Sequence, residues 1–393
     1  MGLELYKIVF DNPTNTYYAG QTVTGRVIVG LSKPKKVRAL KIKFKGAAET
    51  KWTEHHDERQ SDGSTRSVSD TVTGNETYFD YKCNLLEGSS EVEIPSGKNI
   101  YQFSATLPAT VPSSFEGEYG FIRYKVKATL DRPWKFDHHT ETVFTVVTPL
   151  DLNYCEEAKM PVKKEESKRF CCCFCKSGPL TMVLSLPYTG FVAGGTQPFV
   201  LEVDNASNVE VSGTKVKILK TVRFKASHTV SQKTSTEKIA KVKLERVTGN
   251  NSGYWSQALS IPPDLPFQNL TTCSIIKVEF VLKAVTVVSG AHRNFEMDVP
   301  LTMGSTPITA PFSAFSPPQE KFSEFSPPQE KFSPFSPPQE KFSAFSPPQE
   351  KFSAFSPPQE KVTPEVPYSI GFVVDPSVPP APPSPSPIKP SRW

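Results

Sequence analysis

Four thiols crowd together at Cys171, Cys172, Cys173 and Cys175. Thiolates at that density could ligate zinc. A tetrahedral site, however, draws on spaced Cys-x-x-Cys pairs, and three of these four are contiguous. They could instead carry acyl chains. Phe170 and Phe174 are apolar, while Lys163, Lys164, Lys168, Arg169 and Lys176 are basic. Palmitoyl groups beside a basic segment supply the two signals that stable membrane attachment needs. The third reading is a junction strand whose thiols pack as small apolar groups. It is preferred, with acylation second and metal third. Seven cysteines are an odd number, and this cluster is too tight for a disulfide framework, so a reducing compartment is expected.

The other groups that could do chemistry are scattered. His55–His56 and His138–His139 are adjacent pairs, and His228 and His292 stand alone. None has the helical spacing of metal ligands. Gly194–Gly195 lacks the rest of a phosphate loop, and no nucleophile motif of the Gly-x-Ser-x-Gly kind is present. The expectation is a protein with no catalytic residues, no cofactor and no metal, hence a binding protein rather than an enzyme.

Binding has better candidates. Lys41, Lys43 and Lys45 alternate with Leu40, Ile42 and Phe44; Arg123, Lys125 and Lys127 alternate with Ile122, Tyr124 and Val126. That is the period of half-buried strands. If both strands share a sheet, the six cations form a patch for acidic cargo tails, phosphates or anionic lipid. The alternative is a solvated outer face that keeps an antiparallel sheet in water. Lys215, Lys217, Arg223 and Lys225 repeat the pattern opposite Val216, Ile218, Val222 and Phe224. The formal net charge of +5 suits an anionic membrane or a phosphorylated partner, and no finger or aromatic RNA-binding motif points to nucleic acid.

The elements that must position these residues are strands. Residues 1–150 and 179–306 read as short strands punctuated by Pro and Gly, at the spacing of an antiparallel sandwich. The predicted fold is all-β: two tandem immunoglobulin-like antiparallel β-sandwiches. Residues 151–178 read as a charged linker ending in the Cys cluster. Residues 54–74 are polar and are expected to form a mobile loop. No stretch reads as a signal peptide or a membrane span, and a cytoplasmic protein is expected.

Residues 307–393 read as a disordered, Pro-rich tail. Phe-Ser-Pro-Pro-Gln-Glu-Lys recurs five times at a ten-residue period, starting at Phe315, Phe325, Phe335, Phe345 and Phe355. The Pro pairs favour extended polyproline conformation, and the period is too short for a solenoid. Ser316, Ser326, Ser336, Ser346 and Ser356 each precede Pro, a pattern open to proline-directed phosphorylation. Five copies would give avidity to a multivalent partner, or they are an expanded spacer. Pro387, Pro390 and Arg392 fit the Pro-x-x-Pro-x-Arg ligand of SH3 domains, a short pattern that Pro-rich sequence also produces by chance.

Several segments, in order along residues 1–306, resemble the α-arrestins (arrestin domain-containing proteins). They are Tyr18–Gly25; Val37–Trp52 with Lys45-Gly46-Ala47-Ala48; Pro112–Val126 with Ser113-Ser114-Phe115-Glu116-Gly117; Cys171–Leu180; Cys273–Phe280; and Val299–Gly304. The resemblance implies two tandem sandwiches whose concave faces dock cargo. It implies adaptor work linking membrane receptors or transporters to ubiquitin ligases, endocytosis and endosomal sorting, with recruitment to plasma membrane and endosomes. The family often binds WW domains through Pro-Pro-x-Tyr. This chain has no such motif; Pro364-Glu365-Val366-Pro367-Tyr368 comes nearest and lacks the spacing. The resemblance offers two alternatives. One subgroup pairs with thioredoxin through a Cys in the strand of Cys273, although a thiol set before Ile275 and Ile276 reads first as a packed one. The receptor-desensitising arrestins use a buried charged network between domains and a regulatory tail strand, neither of which can be located in this sequence.

Overall fold

The computed structural model describes residues 2–309, apart from 62, 171–177, 291 and the side chains of 89 and 90. The first sandwich is built from β1 (Leu3–Phe10), β2 (Thr16–Tyr18), β3 (Thr22–Leu31), β4 (Lys35–Arg59), β5 (Thr65–Ile94), β6 (Gly97–Thr106), β7 (Phe115–Gly117), β8 (Gly120–Asp131) and β9 (His138–Val147). One sheet runs β1-β3-β6. The other runs β2-β9-β8-β4-β5, with β7 on β8. Alternation decides which side faces in: Val23, Val27, Val29 and Leu31 of β3 meet Leu40, Ile42 and Phe44 of β4 and Ile122, Tyr124 and Val126 of β8.

An aromatic stack locks this core. Tyr124 is fully buried and its hydroxyl donates to the Pro112 carbonyl at 2.6 Å, as a tyrosine corner does. Its ring stacks on Phe79 at 5.8 Å. Gly46 lies under both rings, where a Cβ would come within 2.6 Å of Tyr124, so only glycine lets the rings close.

The segment expected to be a mobile loop is a ribbon instead. The β4–β5 ladder continues from Lys51↔Thr73 to Arg59↔Thr65, so both strands run through the stretch expected to be a loop. The reason is physical: beyond Trp52 the ribbon buries neither face, so apart from Val68 its side chains are polar on both and no alternation marks them as strand.

The connector is not bare chain. Asp151 caps a 3-10 turn (Leu152–Tyr154), followed by the short helix α1 (Glu156–Lys159). It then forms β10 (Val162–Lys168), an edge strand of the second sandwich. That sandwich adds β11 (Leu180–Leu186), β12 (Gly190–Phe191), β13 (Thr196–Asn205), β14 (Val211–Lys225), β15 (Gln232–Leu244), β16 (Asn251–Ser260), β17 (Ile276–Val288) and β18 (Phe295–Met303). Its sheets run β10-β11-β13-β16 and β12-β18-β17-β14-β15 around a core that includes Met182, Leu184, Phe199, Leu201, Ile218 and Leu282.

The two sandwiches share apolar packing. Val222 and Phe224 of β14, with Leu270, Cys273, Ile275 and Ile276, belong to the core of the first sandwich. Polar bonds frame that seam: Thr50 Oγ1 donates to the Lys225 carbonyl at 2.8 Å, the Asn75 amide to Ser227 Oγ at 2.8 Å, and the Ser274 amide to Glu76 at 2.8 Å. Ser231 donates to Glu54, and with Trp52 this holds the Glu54 carboxyl below the usual carboxylate range.

Candidate functional site: two basic sheet faces

The structure brings the six cations of the first sandwich together. β4 and β8 are antiparallel neighbours, with Lys43 opposite Lys127, Lys45 opposite Lys125 and Ala47 opposite Arg123. Carboxylates then occupy most of them. Lys41 meets Asp131 at 2.7 Å, Lys43 meets Asp80 at 2.7 Å, Lys125 meets Glu141 at 3.1 Å and Arg123 meets Glu116 at 2.7 Å. Arg38 closes on Asp131 as well, at 2.6 Å. The Lys41 ammonium, then the Arg38 guanidinium, holds the Asp131 carboxyl below its ordinary range. Among the described residues, Lys45 and Lys127 form no ion pair. This face is therefore charged but largely self-compensated, which weakens its field on an incoming anion.

The second sandwich differs. β14 points Val216, Ile218, Val222 and Phe224 inward and Lys215 and Lys217 outward. β15 places Lys243 opposite Lys215 and Lys241 opposite Lys217. A bulge between Ile218 and Leu219 resets the register, so Lys238 lies opposite Leu219 on the same outer face. Lys215, Lys217, Lys238, Lys241 and Lys243 thus form one cluster with no ion pair among the described residues. The Lys241 ammonium is pushed below the ordinary lysine range by desolvation and then by Lys243, Lys215, Lys238 and Lys217, in that order. Lys283 on β17, opposite Lys217, is by contrast held by Glu296 at 2.9 Å and Asp298 at 3.3 Å. The sequence shows Lys215 and Lys217 by parity. It does not show the β15 lysines beside them, because pairing across a hairpin with a bulge is not written in either strand alone.

Cys273 lies in the turn before β17, not within the strand where the family resemblance puts it, and is 2% exposed against the first sandwich's core. Burial pushes the thiol up, more than the neighbouring Tyr78 hydroxyl and the Ile276 amide (3.3 Å from Sγ) pull it down. A protonated, enclosed thiol is a poor partner for disulfide exchange. It also lines a cavity of about 360 Å³ beside Leu270, Phe280, Leu301 and Met303. In native protein, Cys273 is expected to be alkylated roughly a hundredfold more slowly than a free thiol, and at the free rate once unfolded. Peptide mass spectrometry after timed labelling checks this; native labelling as fast as that of the half-buried Cys155 would restore the redox reading.

The histidines do not converge. His56 faces Asp70 at 3.6 Å, His55 pairs with Ser69 at 2.8 Å and His139 with Thr129 at 3.1 Å. No metal-competent group of three His, Cys, Asp or Glu occurs among the described residues. No ion pair joins the sandwiches among the described residues, where the polar bonds are amide, hydroxyl and carboxylate contacts. No helix of the described residues is long and apolar enough to cross a membrane. Cys171, Cys172, Cys173 and Cys175, the repeat serines Ser316, Ser326, Ser336, Ser346 and Ser356, and Pro387, Pro390 and Arg392 lie outside the described residues.

Comparison with known proteins covers both sandwiches. The family model for the arrestin (or S-antigen) N-terminal domain matches residues 6–153, and that for the C-terminal domain matches 176–308. Arrestin domain-containing protein 17 of Caenorhabditis elegans is 30% identical over 313 residues, covering 78% of this chain and 71% of that one. Arrestin domain-containing protein 4 of Homo sapiens is 29% identical over 302 residues, covering 76% and 70%. Arrestin domain-containing protein 1 of Mus musculus is 26% identical over 282 residues, covering 72% and 60%.

Proposed function

Because the chain belongs to the arrestin domain-containing family, the α-arrestins, we propose that it is a non-enzymatic adaptor in protein transport. Its cargo is the cytoplasmic tail of a membrane receptor or transporter, and its output is ubiquitination, endocytosis and endosomal sorting of that cargo. The protein works in the cytoplasm and is recruited to plasma membrane and endosomes.

The observation that carries this reading is the uncompensated lysine cluster of β14 and β15. Five like charges kept together without carboxylates raise the local potential and favour an acidic or phosphorylated segment. Lys45 and Lys127 offer a weaker second contact on the first sandwich. The repeat tail recruits SH3 or WW proteins; with no Pro-Pro-x-Tyr, a ubiquitin ligase reaches the complex through such a bridging protein.

Affinity capture read by mass spectrometry tests the division of labour. The baits are the full chain, the full chain with Lys215, Lys217, Lys238, Lys241 and Lys243 changed to Glu, and residues 307–393 alone. Membrane receptors or transporters are expected on the full chain and depleted from the charge-reversed one. Ligases and their bridging proteins are expected on all three. Recovery of no membrane protein, or of the same set by the reversed chain, would remove the lysine face as the cargo site and with it the adaptor function.

A further inference from the structure

The turn between β8 and β9 presents two large aromatic rings to solvent: Trp134 is 100% exposed and Phe136 is 94% exposed. The turn is held in shape. Arg132 Nε donates to the Phe136 carbonyl at 2.7 Å, the Arg132 amide donates to Asp137 at 3.1 Å, and Arg38 reaches the Arg132 carbonyl at 3.4 Å. Trp134 has φ of 58°, a left-handed conformation that a bulky residue adopts only when its surroundings impose it. The fold therefore works to keep these rings outside rather than failing to bury them.

Cations share this end of the sandwich. Asp131 at the end of β8 pairs with Ala39 near the start of β4, Lys35 pairs with Ile94, and Lys98 pairs with Gly30. The β3–β4 turn and the start of β6 therefore come to this same end of the sandwich. Lys33, Lys36, Lys98, Arg132 and Lys135 form no ion pair among the described residues, and Lys35 meets only His138, at 3.1 Å. Of the carboxylates at this end, Asp131 is engaged by Arg38 and Lys41 and Asp137 by the Arg132 amide, while Glu93, across the ladder from Lys36, forms no ion pair among the described residues. The seam with the second sandwich lies at the other end of β8, where Gly120 pairs with Thr50, about 35 Å away along twelve residues.

We propose that this turn is a membrane-contact element: Trp134 and Phe136 enter the interface of an anionic bilayer while Arg132, Lys135 and the lysines of the same end lie over its headgroups. Aromatic rings settle at the headgroup level, and cations add attraction to anionic lipid. A protein pocket for two protruding rings would not call for cations on each neighbouring turn; an acidic bilayer, which is flat and charged all round the point of entry, does. Membrane contact of this kind goes beyond the adaptor reading and needs no cargo, so it is measured on lipid alone.

The full chain is mixed with phosphatidylcholine vesicles, with and without phosphatidylserine, and with acyl-brominated lipid as a tryptophan quencher. Sedimentation with the phosphatidylserine vesicles and quenching are expected. Trp134→Phe should still sediment but lose most of the quenching. Trp134→Ala with Phe136→Ala should lower partitioning roughly 10- to 100-fold and leave the circular dichroism unchanged, since the rings are solvent-exposed. The proposal is overturned if the full chain does not sediment with phosphatidylserine vesicles. It is equally overturned if the double variant partitions like the parent, or if quenching persists in Trp134→Phe.

Discussion

Phe224→Ala is expected to lower the stability of the protein by about 3–5 kcal/mol and to separate the unfolding of the two sandwiches. Phe224 belongs by chain to β14 of the second sandwich, yet it is fully buried in the core of the first. Its ring meets Tyr119 edge-on at 5.6 Å and Phe115 at 6.3 Å, and a Cβ on Gly117 would come within 2.8 Å of it. Truncation leaves a cavity between two sheets that cannot both relax into it. The neighbouring polar bonds, such as Thr50 to the Lys225 carbonyl, depend on the same approach. Calorimetry should show one transition in the parent and two in the variant, with denaturant unfolding giving the magnitude. A loss below about 1 kcal/mol, well short of what burying a phenyl ring gives, with a single transition retained, would mean that the seam does not couple the domains.

How much of this was legible in sequence follows from where burial falls. Strands with one wet face write their period plainly: Leu40, Ile42 and Phe44 against Lys41, Lys43 and Lys45, or Ile122, Tyr124 and Val126 against Arg123, Lys125 and Lys127. The all-β class and the placing of β4, β8, β11 and β14 follow from that. The ribbon tip, 54–59 with 65–71, buries neither face and so carries no such pattern. β10 likewise reads as charged connector because it is an edge strand, with Lys163 and Glu165 exposed. The site was half visible for the same kind of reason. Parity marks the cations on each strand, but compensation is a property of neighbours: Asp80 and Glu141 reach Lys43 and Lys125 from β5 and β9. The sequence thus points first to the neutralised face and only partly to the lysines that stand unpaired. Nothing in the sequence singled out Trp134 and Phe136; it is their exposure in the fold that sets them apart.

Reversing the lysine cluster is expected to separate binding from stability. Lys217→Glu with Lys241→Glu removes two central charges and places carboxylates among Lys215, Lys238 and Lys243. Affinity for an acidic or phosphorylated peptide should fall by roughly tenfold for each reversed lysine, and its dependence on salt should flatten, since fewer screened contacts remain. The melting temperature should not fall. Lys241 has its pKa depressed, so the folded state resists the proton that the unfolded chain accepts. That penalty is fully present at neutral pH and is lost as pH rises through the depressed value toward the ordinary lysine range. Removing the charge removes the penalty, and the new carboxylates gain lysine neighbours. Peptide titration at two salt concentrations, beside thermal unfolding at neutral pH, reads both effects. Weaker binding with an unchanged or higher melting temperature marks lysines retained against their own repulsion for the sake of a ligand. A lower melting temperature with unchanged affinity would make them part of the sheet's structure and leave the outer face of the second sandwich without a binding role.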